Sequence, residues 1–459
     1  MGDGEMNQFE VVIQGQLVLP EKVVEGEIGV QNGKIVAISE GIGHLQATNI
    51  VNAQGKYVFP GLIDAHVHCF SNPDEGFEVT SAAAAAGGVT TFLDMPYDLP
   101  NPINNVEMFK EKVERLNKQS IVDICLWGTI SKYDGVEQIK PLAEAGAVAF
   151  KMSTFETDAY RFPRIPDYEI IKAMEQLREY DLVAAFHAEN DEIIVELIED
   201  YQKAGKVYPK AHMETRPPYT ETSAVLKLME FAHWTDSKLH IVHVSHPRTL
   251  ELIKLFKEQG TKVTSETCYT YLLLNCDDLD KFGPKAKNNP PLRYQEDVDG
   301  LWEKLKTNDL DFVTSDHAPW SLAHKEKGKD NIFLAASGMP GLDIMGSLMF
   351  ESMVVEKGFS PVHFAKVMAQ NPADIYGIPN KGRIAEGFDA DFAIIDPEVV
   401  WTVDENQFHS YSKISPFHGQ EVNGKVVQTI VRGETVYDGE KVTKDPGFGA
   451  FVPGKAYKQ

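Results

Sequence analysis

Between positions 62 and 316, short apolar runs rich in β-branched residues alternate with stretches of helical spacing, and this alternation limits the fold more than any other feature of the chain. The apolar runs cover 62–68, 89–95, 121–127, 147–151, 182–187, 239–245, 262–267 and 311–316. Amphipathic helices are predicted between them, over 106–118 (Val106, Phe109, Val113, Leu116), 170–180 (Ile170, Ile171, Met174, Leu177), 223–233 and 248–259 (Leu250, Leu252, Ile253, Leu255, Phe256). Strands that alternate with helices build a parallel sheet. Eight such repeats predict an α/β fold of the (β/α)8 TIM-barrel type, whose chemistry sits at the C-terminal ends of the strands.

The flanking segments have a different texture. From Phe9 to Val58, short alternating runs are separated by Gly, Pro and Asn, the pattern of a small antiparallel β domain, and similar strands return over 390–395 and 425–431. The two ends are expected to fold together as a β-sandwich domain, residues 1–58 with 376–459, beside a barrel of residues 59–375. A length of 459 residues accommodates one large and one small domain. With 68 acidic against 44 basic residues the net charge is −24, which disfavours nucleic acid and anionic membranes as partners. Cys69, Cys125, Cys268 and Cys276 lack Cys-x-x-Cys spacing, which argues against a disulfide framework or zinc ribbon and fits a reduced cytoplasmic setting. Met1 to Glu10 has neither a basic nor an apolar leader segment, and no later apolar stretch reaches spanning length.

If the chemistry lies at strand ends, the terminal residues of the runs should be informative. His66 and His68 end the first run, two apart and so on one face of a strand. Lys151 ends the fourth, His187 the fifth, His243 lies in the sixth and Asp316 ends the eighth, each with small or apolar residues two positions back. Taken singly, each has an ordinary explanation: a hydrogen-bonded core histidine, a helix N-cap aspartate, a lysine that snorkels. Together, four imidazoles and a carboxylate at one barrel mouth supply the nitrogen and oxygen donors that zinc and related divalent ions prefer. A lysine ammonium would repel a cation, but a neutral lysine can add carbon dioxide. The resulting carbamate can bridge two metals, so Lys151 implies a binuclear site.

This set, with Val58-Phe59-Pro60-Gly61-Leu62-Ile63-Asp64-Ala65-His66-Val67-His68, Ile241-Val242-His243-Val244-Ser245, Asn289-Pro290-Pro291-Leu292-Arg293, Ser315-Asp316-His317-Ala318-Pro319 and the trailing segment from Gly382 to Asp391, resembles the amidohydrolase superfamily in its cyclic amidohydrolase branch. The resemblance implies one metal at His66, His68 and Asp316, a second at His187 and His243, and a carbamylated Lys151 between them. It also implies a hydroxide between two zinc ions as nucleophile, with Asp316 as general base and then general acid in the opening of a cyclic amide. Asn289, Ser337 and His317 resemble substrate-binding positions, with His317 alternatively a support for its loop. Asp64 shares the strand face of His66 on strict alternation, while His240 and His246 have the opposite parity to His243. The family analogy further implies a homotetramer or dimer.

Departures from the family pattern bear on substrate. Dihydroorotases carry an arginine two residues after the second strand-one histidine, and Phe70 stands there. Hydantoinases and dihydropyrimidinases carry a tyrosine five residues after the bridging lysine, and Glu156 stands there, with Tyr160 or a serine as a substitute. With the Asp94-Met95-Pro96-Tyr97 turn, these absences point to allantoin as substrate and allantoate as product. Hydantoinase, dihydropyrimidinase or dihydroorotase activity is the alternative, and a scaffold that has lost catalysis is a second. The charged run from His324 to Asn331 is expected to lie over the mouth as a solvated loop or lid.

Overall fold

The computed structural model describes residues 8–458, so positions 1–7 and 459 of the predicted end segments lie outside the described residues. Four strands come first: β1 (Gln8–Val18), β2 (Val23–Gln31), β3 (Lys34–Glu40) and β4 (Gln46–Pro60). The chain then enters β5 (Leu62–Val67), β6 (Val89–Asp94), β7 (Asp123–Leu126), β8 (Phe150–Ser153), β9 (Val183–His187), β10 (Lys238–Ile241), β11 (Val263–Cys268) and β12 (Phe312–Thr314). These eight are the predicted barrel strands, most of them shorter than their apolar runs. They form a parallel three-stranded sheet β5-β6-β7 and a parallel five-stranded sheet β8 to β12. Parallel bridges between Gly128 and Phe150 and between Val67 and His317 join the two into a closed ring.

The predicted helices form at Val106–Gln119, Asp167–Glu179, Pro218–Thr235 and Pro247–Glu258, within a few residues of their apolar spacing. The first begins at Asn105, whose side chain accepts from Met108 N at 3.0 Å and satisfies one of the free amides of the opening turn. Helix and strand faces meet in a continuous apolar shell that includes Phe92, Ile124, Phe186, Leu228 and Leu250. Inside the ring, Ile63, Ala65, Leu93, Met95, Cys125, Trp127, Ala149, Val183, Ala185 and Phe312 form a separate cluster, closed below by Ala373 and Tyr376. The interior is a packed core, and a cavity lies above it at the C-terminal ends of the strands.

After the barrel, β13 (Phe392–Thr402), β14 (Glu421–Val431) and β15 (Glu434–Tyr437) join the first four strands in one seven-stranded sheet of order β15-β14-β13-β4-β1-β2-β3. The ends do fold together, around Ile13, Ile28, Val58, Phe392, Ile394 and Ile430. One pair departs from the antiparallel expectation, since β1 and β4 run parallel. The last residues leave the sheet and return to the barrel, where Ala450 O accepts from Ile124 N at 3.0 Å and Gly454 N donates to Gly146 O at 2.9 Å. The passage from sheet to barrel is Pro60-Gly61, and a Cβ on Gly61 would lie 2.0 Å from Thr90 Oγ1, so only glycine fits.

Candidate metal centre and cavity

All six residues of the expected ligand set, His66, His68, Lys151, His187, His243 and Asp316, line one cavity of about 300 Å³ at the C-terminal mouth of the barrel. They reach it by different routes. His187 continues the inward row of Val183 and Ala185 by strict alternation. On β5 the interior residues are Ile63 and Ala65, so alternation alone would turn His66 away; a register shift between Asp64 and Val67 adds a residue and turns it inward. His243 and Asp316 lie beyond the ends of β10 and β12, at φ 39° and 47° in the left-handed region. Such backbone is sparsely populated by residues with a Cβ and concentrates at functional sites.

The parity expected for β10 is corrected by this geometry. His240, stacked on Phe312 at 5.1 Å, and Val242 face the interior, whereas Ile241 packs into the outer shell, and His243 enters the cavity only through its turn. His240 does not reach the ligand cluster's cavity, as expected, and neither does His246, which bonds Asp297 at 3.0 Å outside it. Asp64 does not share the face of His66; its carboxylate accepts from His66 N at 3.1 Å and Ser315 N at 3.2 Å and ties β5 to the turn that carries Asp316. Burial outweighs these bonds and raises its pKa to about 6.

The donor atoms converge in two groups. His66 Nε2 and His68 Nε2 lie 3.1 and 3.2 Å from Asp316 Oδ1. His187 Nδ1 lies 2.9 Å from His243 Nε2. Each group presents lone-pair donors at one point, and the outer nitrogens of two rings are fixed by carboxylates. His66 Nδ1 is 2.6 Å from Glu266 Oε1, and His187 Nε2 is 2.6 Å from Glu189 Oε1. A carboxylate on the outer nitrogen keeps the proton there and turns the inner lone pair toward the cavity. Glu266 also takes His240 Nε2 at 3.0 Å and Thr314 Oγ1 at 3.0 Å, and Glu189 takes Arg216 Nη1 at 2.7 Å. Burial pushes Glu189 up, but Arg216 and His187 outweigh it and hold the carboxyl well below its usual range.

Lys151 Nζ has His66 Nε2 at 3.5 Å and Met95 Sδ at 4.0 Å, with no carboxylate in ion-pair contact among the described residues. Burial brings its pKa down to about 8, against the opposing pull of Asp316 and Glu266. The shift raises the fraction of neutral amine, the form that adds carbon dioxide. The donor set, the anchored outer nitrogens and the amine without a counter-ion fit the binding of divalent ions at this cavity.

Asn289 and Ser337 line the same cavity, and the amide oxygen of Asn289 is buried without a partner. His317 does not line it, which corrects its expected contact with substrate. Its Nε2 is 2.6 Å from Glu75 Oε1 and its Nδ1 accepts from Gly341 N at 3.1 Å, so the ring supports its loop. Phe70 is buried edge-on against Phe77 at 4.9 Å, outside the cavity. Glu156 pairs with Lys132 at 2.8 Å, and Tyr160 is exposed with its hydroxyl on Asn101, so neither reaches the site. The charged run after β12 is no free loop: Leu322–Glu326 is helical and Lys325 is buried, donating to Lys287 O at 3.1 Å and Ala336 O at 3.0 Å. Glu266, Glu189 and Arg216 escaped the sequence reading; the available signal was an acidic residue inside the apolar run 262–267 and another two positions after His187.

A closed parallel barrel with four imidazoles, a lysine and an aspartate at its mouth defines a hydrolase of the barrel type built around a divalent metal centre. The chain belongs to the amidohydrolase family, whose model matches residues 57–436. An allantoinase of Bacillus licheniformis is 33% identical over 461 residues, covering 98% of this chain and 100% of that protein. An allantoinase of Salmonella newport is 33% identical over 457 residues, 97% of this chain and 98% of that protein. Among solved structures, an L-hydantoinase (dihydropyrimidinase) from Arthrobacter aurescens superposes with a TM-score of 0.94 at 32% identity, covering 97% of this chain and 100% of that one. A dihydropyrimidinase from Brevibacillus agri superposes at 0.90 with 26% identity, covering 98% and 99%.

Proposed function

We propose that this enzyme hydrolyses the hydantoin ring of allantoin to allantoate, with His66, His68 and Asp316 holding one ion, His187 and His243 the other, and Lys151, as its carbamate, both. The observation that carries the reading is the convergence of all six residues on one cavity of about 300 Å³, the lower end of the range for small-ligand sites. Two divalent ions bound there, zinc being the one such nitrogen-rich donors favour, would lower the pKa of water towards about 7 and polarise the amide carbonyl. Asp316 takes the proton as water attacks and returns it to the departing ring nitrogen, so one carboxylate serves as base and then acid. Asn289 and Ser337 hold the ring from the same cavity.

Allantoin is preferred over dihydroorotate because Phe70 stands where dihydroorotases carry an arginine, and over simple hydantoins because Glu156 stands where hydantoinases carry a tyrosine. The allantoinases at 33% identity support the same choice. The TM-score of 0.94 to an L-hydantoinase favours hydantoin opening as the second reading. Turnover of allantoin, hydantoin, dihydrouracil and dihydroorotate by metal-loaded protein separates them, and opening of hydantoin without allantoin would overturn the first reading. All four cysteines are free and buried, which supports a reducing compartment such as the cytoplasm. A dimer or tetramer belongs to the same reading and is checked by light scattering.

A further inference from the structure

Arg161 lines the cavity but takes no part in the chemistry described so far. Its one side-chain hydrogen bond among the described residues runs from Nη1 to Tyr97 O at 2.8 Å, and no carboxylate there is within ion-pair distance of it. A guanidinium has five N–H donors, so most of its capacity is free. Burial lowers its pKa despite the proximity of Asp158, the mark of a cation only partly solvated.

The position of this group is fixed by the core. Tyr97 is buried and donates through its hydroxyl to Lys151 O at 3.2 Å. Its ring stacks on Phe162 at 3.6 Å, and Phe162 in turn meets the edge of His187 at 5.9 Å. One residue therefore links the guanidinium to the strand that carries Lys151, and its chain neighbour packs against a second candidate ligand. A second polar group on the same cavity, the buried hydroxyl of Ser71, has no hydrogen-bond partner. Rigid, partly desolvated donors without acceptors are stabilised when a ligand brings acceptor oxygens.

We propose that Arg161, with Ser71 as a second donor, is the specificity-determining residue that recognises a carbonyl oxygen on the substituent of the substrate ring. The inference rests on the cyclic-ureide reading and extends it: in allantoin that substituent is the ureido arm. An alkyl or aryl arm would cover the guanidinium and leave it unpaired, so the same residue selects against hydrophobic hydantoins.

The test compares substrates that differ only in the arm. Arg161→Gln should lower kcat/KM for allantoin by roughly 10- to 100-fold, the effect of losing a hydrogen bond to a charged group. It should leave unsubstituted hydantoin within about threefold and metal content and Tm unchanged, and Arg161→Lys should recover part of the loss, as a retained cation would. An equal loss on both substrates, or no loss on allantoin, would overturn the assignment. Should the wild type open hydantoin but not allantoin, the proposed function falls while the inference is still decided by a matched pair. The wild type must then prefer a 5-carboxamidomethyl over a 5-isobutyl hydantoin, and Arg161→Gln must erase that preference; an unchanged preference would refute it.

Discussion

At the scale of single residues, the site is set less by the donors than by what holds them. The carboxylate of Glu189 joins His187 to Arg216 at 2.6 and 2.7 Å, all three buried. Glu189→Gln removes the charge that fixes the His187 proton and leaves the guanidinium without its counter-ion. Metal affinity should fall roughly 10- to 100-fold, measurable by competition with a chromogenic chelator. Lys151→Ala should reduce bound metal from two ions to one or none, with partial rescue of activity by a short carboxylic acid that replaces the carbamate. Unaltered metal content and rate would contradict a bridging role.

Elements depend on single polar residues in the same way. The segment 335–338 forms one side of the cavity, and Lys325 and Lys287 brace it from behind, with Lys287 Nζ on Ala335 O at 2.7 Å and Gly338 N on Lys287 O at 2.9 Å. Lys325→Met would leave the carbonyls of Lys287 and Ala336 without these donors, at a cost of about 1–3 kcal/mol. KM should rise severalfold, and trypsin should cut faster after the exposed Lys327 and Lys329 as the segment loosens. In the sheet, Glu27 on β2 accepts from Gly43, His44 and Leu45 N at 2.9, 2.8 and 2.9 Å and from Gln14. Burial raises its pKa, but these bonds outweigh it and depress the value below 4.5. A depressed carboxylate stabilises the fold above its unfolded pKa, and the contribution fades as pH falls through the folded value. Urea titrations should therefore show a smaller loss of stability on acidification in Glu27→Gln, already weakened at neutral pH, than in the wild type, the difference being the share of Glu27.

Over the whole molecule, barrel and sheet behave as one packed body. Phe59 of β4 meets Phe364 at 4.8 Å, and Lys381 bridges the barrel's Asp123 at 2.9 Å to Asp391 of the sheet's entry at 2.7 Å. Burial lowers the pKa of Lys381, but Asp391, Asp123 and Asp389 outweigh it and keep the amine firmly protonated. Lys381→Met leaves the buried carboxylate of Asp391 without a cation, while Asp123 keeps Arg432, and should cost about 3–5 kcal/mol. Denaturation followed separately by a barrel and a sheet fluorophore should still give coincident transitions, shifted together; separate transitions would show that the two parts fold independently.

The linear sequence was enough to specify the eight strand-helix repeats, the joining of the two ends and the six candidate ligands, because apolar period and residue chemistry are local properties. Alternation succeeded for His187 and for Asp316, which continues the inward row of Phe312, and failed for His66 and His243, where a bulge and a left-handed turn direct the side chains. Such turns depend on neighbouring strands for their stability, as when Asp64 holds Ser315 N, and have no periodic signature of their own. Tertiary structure alone decided that Glu266 and Glu189 anchor the histidines, that His317 faces Glu75 and that Arg161 stands free in the cavity. The contacts of Glu266 with His66 and of Glu75 with His317 join residues far apart in the chain, and a buried charge finds such a partner only when the barrel closes.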